Sequence, residues 1–119
     1  MIVATPVTVD GRTAHAWGKA HWLGVADVTG PRVTSWTIHE VGWDELHDAG
    51  THGSHHARVV RFLKEQGVQA IVVDHVGPGM ARLLERLEIP VLAATPGDAR
   101  ESILAAVASL PAESGLSPR

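Results

Sequence analysis

The chain has 119 residues, 45 % of them hydrophobic and 19 % charged, with a formal net charge of −3. That length fits one domain with a single sizeable core, and the scattered lysines and arginines exclude the basic footprint of a nucleic-acid binder. Cysteine is absent, which excludes disulfides, thiolate catalysis and thiolate-held zinc or iron–sulfur centres; any metal chemistry rests on His, Asp, Glu or Met. No apolar run approaches the ~18 residues of a membrane span. The opening "MIVATPVTVD" has no basic leader segment, so the expected location is the cytoplasm.

"IVATPVTV" (2–9) reads as a first strand, apolar and β-branched, ended by Asp10-Gly11. A loop follows over 10–18. "HWLGVADV" (21–28) and "RVTSWTIHEV" (32–41) are two more strand patterns, and the "TGPR" turn between them predicts an antiparallel hairpin. In the second of these, Trp36 and Ile38 lie on one face and mostly polar residues on the other. Residues 42–51 read as a polar loop, of a length more often functional or mobile than structural. A helix over about 53–66 carries Val59, Val60 and Leu63 as its buried stripe and stops at Gly67.

"AIVVD" (70–74) is a continuous apolar run, as in a strand covered on both faces. "HVGPG" then leads into a short helix with Met80, Leu83, Leu84 and Leu87 at helical spacing. "PVLAA" (90–94) reads as another buried strand. After Pro96-Gly97, Asp98 and Glu101 form a capping-box pattern, and Ile103, Leu104 and Val107 face the core. The order β-β-β-α-β-α-β-α predicts a single-domain α/β fold with a mixed sheet of about five strands and helices on its faces. Residues 1–108 form the domain and 109–119 a flexible tail, frayed over the last nine residues.

In such a sheet, ligands bind beyond the carboxyl ends of the parallel strands. Three segments fall there: the loop "DGRTAHAWGKAH", the helix start "THGSHH" and the turn "DHVGPGM". Together they hold His15, His21, His52, His55, His56 and His75, six of the eight histidines. His52 and His56 are four apart and share a helix face, and His56 also precedes Val59 and Val60 on the core-facing stripe. His55 falls to one side, and His47 lies out in the loop. A helix N-terminus disfavours imidazolium and favours anions, so an anionic cluster or oxyanion suits the place better than a bare cation.

Against this stand plainer readings. His39, His47 and His55 read as solvated, His75 as a cap on the sheet edge, and the Trp residues and Met80 as core. "GPG" at 77–79 lacks the Lys-Ser/Thr of a phosphate-binding loop. No triad, nucleophile elbow or carboxylate cluster for paired metals appears, so no enzyme is expected.

The order of the segments resembles the dinitrogenase iron–molybdenum cofactor biosynthesis family, the NifX and NafY type of domain also found at the end of NifB. The likeness rests on the opening "IVATPV", the "DG" and "HAWGKAHW" of the first loop, "THGSHHARVVRFLKEQGVQAIVV" and "GPGM". It runs over roughly residues 1–108. It implies a ribonuclease H-like motif and a non-enzymatic carrier of the iron–molybdenum cofactor or its iron–sulfur precursor cluster, passed between cluster-assembly proteins.

The resemblance points to His15, Trp17, Gly18 and Lys19 in the first loop, with Lys19 offsetting negative charge. It also points to His52 and Gly53 at the helix start and to His75, Gly77 and Gly79 at the turn, the glycines 53, 77 and 79 allowing close backbone approach. His52 and His56 are the expected metal ligands, His56 on geometry alone. The first loop departs from the family's His-Phe-Gly by one extra residue between His15 and Gly18, with Trp17 in place of Phe. Two other readings stay open. One is a divalent-metal site (zinc, nickel or copper) built from the same histidines. The other is a protein-interaction domain using the Trp36 strand or residues 42–51.

Overall fold

The computed structural model describes residues 1–46 and 52–110, His52 by its backbone alone. His47 and Thr51 therefore lie outside the described residues, as does the expected tail from residue 111 onward. Five strands form one sheet in the order β3-β2-β1-β4-β5: β1 (Ile2–Val7), β2 (Trp22–Thr29), β3 (Arg32–Glu40), β4 (Ala70–Val72) and β5 (Val91–Leu92). The helices are α1 (Trp43–Leu46), α2 (His52–Gln66), α3 (Pro78–Arg86) and α4 (Ala99–Ala108). The chain is thus the expected α/β domain with a mixed sheet: β1 pairs antiparallel with β2 and parallel with β4, and β4 is parallel to β5.

The period-2 rule divides the core between the two sheet faces. Ala4, Leu23 and Ile71 face α2 and α3, where Val59, Leu63 and Leu84 join them. Val3, Ala26, Ala70 and Val72 face α4, which contributes Ile103 and Ala106. The hairpin between β2 and β3 turns at Gly30, whose φ of 58° favours glycine. Trp36 lies flat over Gly24: a Cβ there would sit 2.2 Å from the indole, so only glycine leaves room for the ring. Asp98 caps α4 as its spacing implied, accepting from Glu101 N at 3.0 Å.

Three expectations change. The first strand stops at Val7, because the chain turns back over Thr8–Arg12 with Gly11 at φ 85°. β5 is a two-residue edge strand with Val91 exposed, rather than a buried strand over 90–94. The polar stretch after β3 opens with a helical turn, α1, whose Trp43 is only 2 % exposed. One tryptophan in a run of acids and glycine leaves no apolar periodicity to read, yet it fixes that turn to the core. Trp43 meets Trp17 edge-on at 5.6 Å, Phe62 at 5.7 Å and His55 at 6.0 Å.

Candidate functional site

β1 and β4 are parallel neighbours, and beyond their carboxyl ends the chain leaves a cleft of about 660 Å³. Its walls are the first loop from Ala16 to Lys19, the β4–α3 turn and first turn of α3 from His75 to Met80 with Arg82, and His55 and His56 of α2. A bridge between Ala16 and His75 ties the loop to the turn. Lys19 and Arg82 line the cleft, and among the described residues no carboxylate does. At its floor α3 begins at Gly77, which has no side-chain cap, with Pro78 in the first turn. The first N–H groups of a helix have no partner within it, and here they open beside the cleft.

The register of α2 differs from the sequence expectation. His55, not His56, is the core-facing histidine: it is 4 % exposed and heads the stripe His55, Val59, Leu63 at four-residue spacing. Its Nδ1 accepts from the Arg58 guanidinium at 3.0 Å, because arginine only donates. Nε2 therefore carries the proton and donates it to the Gly18 carbonyl at 2.8 Å. Both nitrogens are in use, so His55 acts as a bolt between α2 and the first loop. The reading of His55 as solvated fails because the expected stripe of Val59 and Leu63 continues back to residue 55, four before Val59, rather than to His56.

His56 is half-buried and lines the cleft, and its ring lies 3.6 Å from where a Cβ on Gly79 would stand. A Cβ at Gly79 would thus meet the His56 ring at ordinary van der Waals distance. A Cβ on Gly77 would meet nothing within 4 Å, so that glycine leaves open space. His75 is exposed on the cleft rim, as is Lys19. Trp17 and Gly18 line the cleft, whereas Gly53 is exposed at the start of α2 and lies outside the lining.

His15 stands apart from the cleft lining, 78 % exposed, with Nδ1 2.8 Å from Asp74 Oδ2. That bond, with the positive field of His15 and His75, holds the Asp74 carboxyl below its usual range despite some desolvation. His52 begins α2, and its side chain lies outside the described residues.

Trp17 is 1 % exposed, and its indole N–H has no hydrogen-bond partner among the described residues. Buried donors are nearly always paired. An unpaired one in a cleft wall fits a site whose acceptor arrives with the ligand, and the uncapped start of α3 fits the same kind of ligand.

The model of the dinitrogenase iron–molybdenum cofactor family matches residues 1–110. The chain belongs to that family. No curated protein matches it. Among solved structures, the crystal structure of PH0822 is similar at a TM-score of 0.68 and 21 % identity, covering 88 % of this chain and 87 % of that one. The NMR structure of TM1290 from Thermotoga, provisionally called a NifB protein, gives 0.67 and 19 % over 91 % and 88 % of the two chains. The apo orange protein of Desulfovibrio gigas gives 0.66 and 17 % over 86 % and 82 %. At those identities the likeness is one of fold.

In this member of the dinitrogenase iron–molybdenum cofactor family, the fold gathers Trp17, Gly18, Lys19, His56, His75, Gly77 and Gly79 around one cleft. Sequence reasoning missed Arg82. Its signal was present: Pro78 and Arg82 are four apart on α3, opposite the buried Met80, Leu83 and Leu84.

Proposed function

We propose that the chain is a non-enzymatic carrier for an anionic metal cofactor, the iron–molybdenum cofactor or an iron–sulfur precursor cluster, handed between cluster-assembly proteins. The observation that carries this reading is the cleft's charge: Lys19 and Arg82 with histidines and, among the described residues, no acid, beside the uncapped start of α3. Family membership supports the same cargo. A clustered anion gains from both ammonium and guanidinium, whereas a bare divalent cation is repelled by them. His56 supplies an imidazole ligand or donor inside the cleft, and His52, in the first turn of α2, is the second expected ligand. His75 guards the rim, and the Trp17 N–H donates to a cargo sulfide or oxygen.

Anaerobic titration with an iron–sulfur precursor cluster, followed by visible absorption, tests this directly. Saturable binding is expected, weakening with salt because the attraction is electrostatic. Lys19→Ala/Arg82→Ala and His52→Ala/His56→Ala should each weaken it by about tenfold or more. No binding, or binding unchanged in both double variants, would sink the reading.

A further inference from the structure

Along the same sheet edge, a second corner collects donors of opposite character. His21, directly before β2, is half-buried. Its Nε2 lies 2.7 Å from Glu40 Oε2 at the end of β3, and its Nδ1 lies 2.8 Å from Asp44 Oδ1 in α1. Glu45 is next along. One donor atom each from His21, Asp44 and Glu45 lie within 4.8 Å of one another, the only such trio among the described residues.

The frame carrying these donors is held by main chain and core. The His21 carbonyl accepts from Val41 N at 2.9 Å and Gly42 N at 3.0 Å, and Trp43 N donates to the Ala20 carbonyl at 2.9 Å. Buried Trp43 then pins the turn on which Asp44 and Glu45 stand. Donors on a fixed frame need little rearrangement to close on an ion. Among the described residues no lysine or arginine forms an ion pair with Glu40, Asp44 or Glu45, so three carboxylates share one imidazole.

The ring's orientation supplies the second argument. An ionised carboxylate only accepts hydrogen bonds, so the contacts of Nε2 with Glu40 and of Nδ1 with Asp44 each call for a ring proton. Nδ1, on the side of Asp44, is the nitrogen whose proton a metal ion can displace while Nε2 keeps its bond to Glu40. A histidine that donates one ring N–H to a carboxylate and turns its other nitrogen toward further ligands has the arrangement found around bound metals. We propose that His21 Nδ1, Asp44 and Glu45 form a site for a divalent first-row transition ion of the zinc class, with Glu40 orienting the imidazole. The ion takes the position between Nδ1 and the two carboxylates, any proton on Nδ1 passing to solvent as it binds. The imidazole selects such an ion over calcium or magnesium, which prefer oxygen alone. Water completes the shell on the exposed side, so the ion ties the start of β2 to α1.

No residue of this site lines the cleft, so its failure and that of the carrier reading are separate. The test uses the full chain, stripped of metal and dialysed against Zn²⁺ at equilibrium, with His56→Gln/His75→Gln as background to remove two of the three cleft imidazoles, the third, His55, being held by Gly18 and Arg58. That background should still bind zinc at the corner. Adding His21→Gln or Asp44→Asn/Glu45→Gln should weaken binding by about tenfold or more. Glu45→Gln alone alters only an exposed side chain and should weaken it several-fold if the larger changes unfold the protein. Paramagnetic Mn²⁺ should broaden amides of residues 20–22 and 40–46 first. Zinc affinity unchanged by all corner variants, zinc lost with the cleft pair, or broadening centred elsewhere overturns the proposal.

Discussion

Two histidine sites lie along one edge of the sheet and differ in everything but the imidazole. The cleft stands over the carboxyl ends of β1 and β4; the His21 corner stands where β2 begins and β3 ends. They are neighbours, because Val7 pairs with Trp22 and Trp22 with Glu40. In the cleft, Lys19 and Arg82 stand beside the histidines, and their fixed positive charge draws an anion. At the corner, Glu40 and Asp44 flank the ring, which favours imidazolium or a metal cation. A histidine count says nothing about this difference; the charges that the fold sets beside each ring decide it.

The aromatic wall between the sites offers the strongest way to break the comparison. Trp43 packs on Trp17 and His55 on the cleft side and carries α1 on the other. Trp43→Ala should cost about 3–5 kcal/mol of stability, measured by denaturant unfolding, and should weaken cargo and zinc binding together. Loss of zinc binding alone would show that the two sites do not share a wall.

The neighbouring histidines of α2 sharpen the comparison at smaller scale. His55→Ala leaves the Gly18 carbonyl and the Arg58 guanidinium without the imidazole they bond, and should cost about 1–3 kcal/mol. His56→Ala, at a half-buried position, should cost less than His55→Ala while reducing cluster absorbance in the anaerobic titration. Equal destabilisation by the two would overturn the division into a structural and a ligand-facing histidine.

Much of this architecture was legible in the sequence because it rests on local signals. Apolar, β-branched runs gave β1 and β2, alternation gave β3, the Gly30 turn gave the hairpin, and Asp98 with Glu101 gave the start of α4. The site's walls were legible too, since the loop after β1 and the turn after β4 must meet where those strands end. What failed needed tertiary information. The valines and Leu63 of the α2 stripe were read as they stand, but the histidine that heads it was misassigned because His55, a polar residue, occupies a core position by bonding the Gly18 carbonyl. α1 was invisible because one tryptophan gives no period. Glu40, Asp44 and Glu45 went unnoticed because the pairing of β2 with β3, not sequence distance, brings them to His21.

The smallest expected effect is a pH dependence that belongs to the corner alone. The bonds from Asp44 and then Glu40 raise the His21 pKa above 6.5, against partial desolvation. The bond to His21 lowers that of Asp44 below 3.8. A raised histidine contributes stability that is full below pH 6.5 and fades as pH climbs through its folded value. A lowered aspartate contributes stability that is full above pH 3.8 and fades as pH falls through its folded value. The pair is therefore strongest between those limits and weakens on both sides. With EDTA present to exclude metal, unfolding midpoints of the parent and of His21→Gln should differ most in that interval and converge as pH rises above it. The exposure of the pair keeps the difference small. A gap that instead widens from pH 6.5 upward would mean that neutral His21 holds the corner, and the contrast in charge between the two sites would fail at its second member.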